Sequence, residues 1–136
     1  MARIVLTNAG VTIGGVDLSD HVAQVELNRT FDEVETTAFG DGGRTRIAGL
    51  EDSSLTLSFH QDFAAASVEA TVGPLFGGTA AFEVFPNGTG TPTATNPKYS
   101  GVVLLTEWSA VSGTVGDLLT VDVTWPISGT VTKATA

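Results

Sequence analysis

Val11-Thr-Ile-Gly-Gly-Val-Asp-Leu-Ser-Asp-His-Val-Ala-Gln-Val-Glu-Leu-Asn opens the stretch that decides the fold, and Ser53-Ser-Leu-Thr-Leu-Ser-Phe-His-Gln-Asp62 closes it. Between them lies Ala38-Phe39-Gly40-Asp41-Gly42-Gly43-Arg44-Thr45-Arg46, where hydrophobes give way to glycine and charge. Gly14-Gly15 supplies the positive φ of a two-residue hairpin between Val11–Ile13 and Val16–Leu18. From His21 to Phe31 the residues alternate: Ala23, Val25, Leu27 and Phe31 on one face, Gln24, Glu26, Asn28 and Thr30 on the other. Arg29 falls among the apolar positions and must snorkel at an edge or meet a carboxylate. Leu55, Leu57 and Phe59 repeat the alternation against Ser54, Thr56, Ser58, His60 and Asp62. The two period-2 runs and the loop between them read as a hairpin whose arm leaves the domain, with Ile47-Ala48-Gly49-Leu50 as a short apolar clasp.

Working outward, Arg3–Thr7 reads as a short strand, and Phe63–Phe76 as the one helix. Ala64–Ala66 favour it, Val68, Val72 and Phe76 recur every four residues, Asp62 is placed to cap it, and Gly73-Pro74 kinks or ends it. Ala80–Pro86 alternates as a strand. Asn87–Lys98 is a polar loop of turn formers, expected to be exposed and mobile. Tyr99–Val111 reads as a long strand, with Val102, Leu104, Trp108 and Ala110 on one face and Val103, Leu105 and Val111 on the other. Leu119, Val121, Val123 and Trp125 make the last apolar face, and Gly129–Ala136 a short Thr-Val-Thr piece with a loose tip. The expected architecture is mainly β: a β-sandwich or small barrel of about eight antiparallel strands, one flanking helix and a long glycine-rich arm. With 136 residues and no linker, a single domain over 1–136 is expected.

Fifteen acidic residues against six basic ones give a net charge of −9, which argues against a phosphate-gripping nucleic-acid binder. Charged residues are only 15% of the chain, which implies that uncharged surface is covered by partners. Without cysteine, thiolate metal sites and Cys nucleophiles are excluded. The opening Met-Ala-Arg-Ile-Val-Leu-Thr-Asn lacks a secretory h-region, no apolar run approaches membrane-spanning length, and synthesis in a cytoplasm is expected.

Catalytic constellations are thin. His21 beside Asp20 and His60 near Asp62 are sequence neighbours without the three or four converging ligands a zinc site needs, and no Gly-x-Ser-x-Gly elbow accompanies them. Gly40-Asp41-Gly42-Gly43 has neither the ligand spacing of a calcium loop nor the Lys-Ser/Thr of a phosphate loop. No cofactor, metal or enzyme activity is expected. Glu33, Glu35, Asp41, Glu51 and Asp52 surround Arg44 and Arg46, and pairing of the two arginines with carboxylates of a neighbouring copy is the functional reading of the arm.

Three segments carry a resemblance: Val11 to Val22, Glu33-Val-Glu-Thr-Thr-Ala-Phe-Gly-Asp41, and Gly49-Leu-Glu-Asp-Ser-Ser-Leu-Thr-Leu-Ser-Phe-His-Gln-Asp-Phe63. Ser67–Gly77, Asn96-Pro-Lys-Tyr-Ser-Gly101 and Gly116-Asp-Leu118 extend it. In order and spacing these are similar to major tail proteins, the tail tube proteins of long-tailed non-contractile bacteriophages, particularly those infecting actinobacteria. The resemblance implies a virion protein that self-assembles into hexameric rings stacked as a tube. Its partners would be tape-measure, tail-terminator and tail-tip proteins, and DNA would pass down its lumen without specific binding. On that reading Gln24, Glu26, Asn28, Thr56, Ser58 and His60 are the candidate lumen-facing residues. Phe39, Gly40, Asp41, Gly42, Gly43, Arg44 and Arg46 form the candidate inter-subunit arm. The alternatives are a single-ring tail-tip hub or head-tail connector and, from another class, a carbohydrate-binding β-sandwich. The last wants exposed aromatics on one face, whereas Trp108 and Trp125 both sit on apolar alternating faces.

Overall fold

A computed structural model describes residue 3 and residues 5–136. Nine strands among the described residues curl into antiparallel sheets forming a half-barrel, with one short helix at the flank. They are β1 (Gly10–Ile13), β2 (Val16–Asp17), β3 (Val22–Asn28), β4 (Phe31–Glu35), β5 (Arg46–Glu51), β6 (Ser54–His60), β7 (Thr79–Phe85), β8 (Lys98–Leu104) and β9 (Thr120–Ala134). The helix α1 (Val68–Val72) runs into a 3₁₀ turn over Gly73–Leu75. The main sheet has the order β2-β1-β7-β8-β9-β6-β3, and β4 and β5 pair separately.

The predicted first hairpin forms as read: Ile13 faces Val16 across Gly14 (φ +59) and Gly15 (φ +85), left-handed conformations that glycine adopts without a Cβ clash. The long hairpin forms as well, as two stacked halves. In the inner half β3 pairs β6, with Gln24 opposite Ser58 and Glu26 opposite Thr56. Leu55, Leu57 and Phe59 are wholly buried, as the period-2 pattern requires. A bulge between Val22 and Gln24 resets the alternation, so Val22, Val25 and Leu27 lean on the core while Ala23 is exposed.

β9 joins the two halves of the barrel. Its first half pairs β6 from His60 opposite Thr120 to Ser54 opposite Pro126, and its second half pairs β8 from Ile127 opposite Val103 to Ala134 opposite Lys98. Gly129 (φ +93) and a register shift between Ser100 and Val102 let the strand bend from one sheet into the other. Gly129–Ala136 is therefore no loose tip up to Ala134; Val131, 5% exposed, anchors it in the core. The core is one cluster: Trp125 and Phe59 are its largest wholly buried side chains, joined by Val11, Ile13, Phe82 and Val103 from β1, β7 and β8 and by Leu105 just past β8.

Other expectations need correction. The strand expected over Arg3–Thr7 falls in part on residue 4, outside the described residues, and Val5 to Ala9 is not strand. The helix begins at Val68, not Phe63: Ala66 takes a positive φ of 59° and breaks the alanine run, and Ser67 is the N-cap. Val68 and Val72 are buried as expected, whereas Phe76 is 52% exposed. β8 ends at Leu104, and residues 105–119 are irregular, because Trp108 turns in to pack edge-on against Phe59 at 5.9 Å and its Nε1–H donates to Glu69. The buried face of β8 is Val103 with Leu105 beyond it, leaving Val102 and Leu104 outside. The loop from Asn87 to Lys98 is tied by Asn96, whose side chain receives the Asn87 N–H and donates to the Asn87 and Gly88 carbonyls.

Candidate assembly surfaces

The six candidate lumen residues share one face. Gln24, Glu26 and Asn28 of β3 stand beside Ser58, Thr56 and Ser54 of β6, which stand beside Asp122, Thr124 and Pro126 of β9. His60 extends the row beside Thr120. Short polar side chains hold the surface together: the Ser58 hydroxyl donates to Asp122 at 2.6 Å, and the Thr56 and Thr124 hydroxyls meet at 3.2 Å. The face carries Glu26 and Asp122 and no lysine or arginine. Chemically it is a wetted, weakly anionic sheet that offers a phosphate backbone nothing to hold.

The arm is the outer half of the long hairpin. β4 and β5 pair with Val34 opposite Ile47, Glu33 opposite Ala48 and Glu35 opposite Arg46. Facing pairs in an antiparallel ribbon share a face, so Val34 and Ile47 make an apolar side and the Glu–Arg pairs a charged side. Arg46 pairs Glu33, and Arg44 reaches Glu35 at 3.6 Å. Both arginines thus find carboxylates on their own ribbon. At the tip the Asp41 carboxylate accepts the Ala38 N–H, Gly40 turns at φ +93, and Phe39 is fully exposed. Phe31, Ile47 and Leu50 are 57%, 59% and 81% exposed, so neither the expected burial of Phe31 nor the clasp over Ile47–Leu50 occurs within one chain.

Between the two halves sits a pinned corner. Glu51 has a side chain only 3% exposed; it accepts the Val131 N–H at 3.0 Å and the Ser53 hydroxyl at 2.9 Å and pairs Arg29 at 3.4 Å. The Val131 hydrogen bond, helped by Ser53 and Arg29, outweighs burial and holds the Glu51 carboxyl below its ordinary pKa. The misplaced Arg29 of the alternation thus meets a carboxylate and also donates to the Val131 carbonyl.

At the other end of β6 the structure keeps the His21–Asp20 pairing and gives Asp62 to His21 instead of His60, which stands in the sheet opposite Thr120. His21 Nδ1 lies 2.9 Å from Asp20, its Nε2 2.9 Å from Asp62, and the Ser67 hydroxyl 3.4 Å away. Partial burial pulls the His21 pKa down, but the hydrogen bonds and charges of Asp20 and Asp62 outweigh it and raise it above 6.5. Asp62 is held below its ordinary value, first by the Ala64 N–H it accepts, then by Ser67 and His21. With a carboxylate on each ring nitrogen, His21 is an electrostatic clamp and has no free lone pair with which to deprotonate Ser67. The helix cap expected at Asp62 is not formed, because Ser67 takes the N-cap position; Asp62 instead turns the chain through the Ala64 N–H and reaches across to His21, 41 residues back. Among the described residues no group of three or more His, Asp or Glu is placed to hold a metal ion.

No protein-family model and no curated protein sequence matches the chain. Solved structures do. A chain in the tail of an empty gene transfer agent particle, obtained by helical refinement with C6 symmetry, superposes with a TM-score of 0.66 at 15% identity, over 85% of this chain and 83% of that one. A chain of the native gene transfer agent virion gives 0.65 at 13% identity, over 84% and 85%. A chain of the six-fold symmetrised anti-feeding prophage baseplate gives 0.55 at 10% identity, over 99% and 98%. The fold is shared with components of phage-like tails and baseplates.

Proposed function

We propose that this chain is the structural subunit of a phage-type tail tube, assembling into hexameric rings that stack into a hollow conduit for DNA. The observation that carries the reading is the division of one long hairpin into two surfaces: an inner half with a polar face free of lysine and arginine, and an outer half that leaves the domain with apolar side chains unburied. The polar face lines the lumen in this reading. The ribbon, with Phe39 at its tip, docks on the adjacent ring. Ring closure covers the free edges at β2 and β3, which in a lone chain invite uncontrolled pairing. Tape-measure, terminator and tip proteins are the partners this role requires, the virion is its place, and the subunit performs no catalysis.

Likeness to tail and baseplate chains of six-fold particles supports this reading, and the near-complete overlap with the baseplate chain gives weight to a second: a hub or connector that stops at a single ring. Negative-stain electron microscopy of the purified protein, over rising concentration and at high salt to screen its net charge, separates the two. Stacked hollow rings are expected. Rings that never stack favour the hub, and a monomer throughout the range overturns self-assembly of the isolated chain.

A further inference from the structure

The half-barrel ends in two free edges of unequal length: β2 has two residues and β3 has seven. β3 pairs β6 through one edge, and along the other, from Val22 to Asn28, no backbone hydrogen bond is made among the described residues. A bare edge of that length is a template for another chain. Facing it is the segment before β1, read in the sequence as a strand, of which residues 5–9 are not strand. Leu6 to Ala9 stand across a groove of about 370 Å³ from Val22 to Val25, and Leu6 and Ala9 border a second, of about 480 Å³, with Leu27 and Phe85. Leu6, Ala9 and Val25 line both, so one groove follows the whole free edge of β3.

The segment is anchored at its β1 end. The Asn8 carbonyl accepts the Gly88 N–H at 2.6 Å, and Gly10 is packed so closely that a Cβ there would meet Thr89 at 2.8 Å. Before Asn8 the hold is light: Leu6 is 56% and Val5 81% exposed, and no backbone hydrogen bond joins residues 5–7 to β3 among the described residues. A cover of this kind obstructs the edge without satisfying it. A strand from a second copy would satisfy it, because backbone pairing supplies the hydrogen bonds that the segment does not make. Pairing with a neighbour therefore wins the exchange, but only after residues 5–7 have swung aside about the anchor at Asn8.

Resting on the ring-closure reading, we infer that residues 5–7 are an autoinhibitory strap, which lies over the β3 edge of the free subunit and is displaced when a neighbouring copy pairs there. With the edge open in only a fraction of the molecules, the apparent affinity for a neighbour falls by that fraction. The chain has no cysteine, so a full-chain variant carrying Leu6→Cys and Val25→Cys, joined by a short bifunctional maleimide, pins the strap. The joined protein should run as a monomer on a denaturing gel and form no rings, whereas the same variant capped with a monofunctional maleimide should form them. Leu6→Ser, at a position more than half exposed, should melt like the parent and form rings at several-fold lower concentration. Rings from the joined protein as readily as from the capped one, a link that forms between chains, or an unchanged threshold for Leu6→Ser overturns the strap. Loss of rings in Leu6→Ser with an unchanged melting curve makes the segment a joint between copies and overturns it too. If the parent forms no rings, the ring reading fails by itself and sedimentation decides the strap: Leu6→Ser associating more than the parent upholds it, and equal sedimentation overturns it.

Discussion

Reversal of charge on the polar sheet tests the lumen directly. Glu26 is exposed in the middle of β3 beside Thr56, with no hydrogen bond or ion pair of its own among the described residues, so Glu26→Lys removes no folding interaction and should change stability by less than about 0.5 kcal/mol. Its electrostatic effect is larger because symmetry multiplies it. Each copy contributes Glu26 and Asp122 to the face, so the proposed hexameric ring would present about twelve negative charges, and Glu26→Lys would bring that to about zero. Six lysines per ring that each neutralise one phosphate would give duplex binding a salt slope of about −5 in log K against log salt, enough to hold DNA at low salt and release it at high salt. Tubes assembled from the variant, mixed with labelled duplex and pelleted at 50 and 300 mM salt, should retain DNA only at the lower concentration; wild-type tubes should retain none at either. In a phage carrying the variant, particles should assemble and DNA delivery should fall. Full delivery with normal tail assembly would refute the assignment of this face to the channel.

Phe59, wholly buried between Trp108 and Trp125, should cost about 3–5 kcal/mol when replaced by alanine, read as a lower urea midpoint. His21→Gln should remove stability in a defined pH window. The raised His21 pKa stabilises the fold fully below 6.5 and ceases to as pH rises through the folded value, while the lowered Asp62 pKa contributes above 3.8 and is lost as pH falls through its folded value. Thermal melts should therefore separate parent and variant most between about pH 4 and 6.5 and least near pH 9; equal separation throughout would refute the clamp. Gly15→Val should cost about 1–2 kcal/mol by forcing a β-branched residue into a left-handed turn, whereas the same change at Gly42, where φ is ordinary and a Cβ meets nothing, should be neutral to folding.

The sheet was legible where alternation met burial. Leu55, Leu57 and Phe59, and Val121, Val123 and Trp125, were readable because each pair of steps returns to the same face, and Gly14-Gly15 because only glycine suits both turn positions. The pattern misled where a side chain's fate lies outside the strand. Trp108 keeps the alternation of β8 in sequence but leaves the ladder to reach Phe59 and Glu69, tertiary contacts with no local trace. Phe31, Ile47 and Leu50 are apolar at strand positions, yet nothing among the described residues covers them. The alanine run failed as a helix since propensity over three residues is weaker than the Asp62 turn that redirects the backbone into Ser67. The six polar positions were found by period alone; Asp122 and the His21 clamp were not, because cross-strand neighbours and 41-residue contacts need the register.

The corner at Glu51 connects folding with assembly. An arm of two strands, exposed on both faces, would sample many directions if it met the domain through a free loop, and ordering it on docking would cost about 0.5–1.5 kcal/mol for each side chain fixed, besides backbone entropy. Here the chain crosses from inner to outer hairpin under several restraints: Thr30 accepts the Asp52 N–H at 2.7 Å, and Glu51 gathers Ser53, Arg29 and the Val131 N–H from β9. The strand that joins the two sheets therefore also fixes the direction of the arm. Full burial of Val34, Ile47 or Leu50 yields about 1.5–3 kcal/mol each, a gain that a pre-aimed ribbon keeps and a loose one spends largely on ordering. In the proposed hexamer, six weak, pre-aimed contacts per ring would act together, so stacking would become steep in concentration while a lone arm would bind poorly.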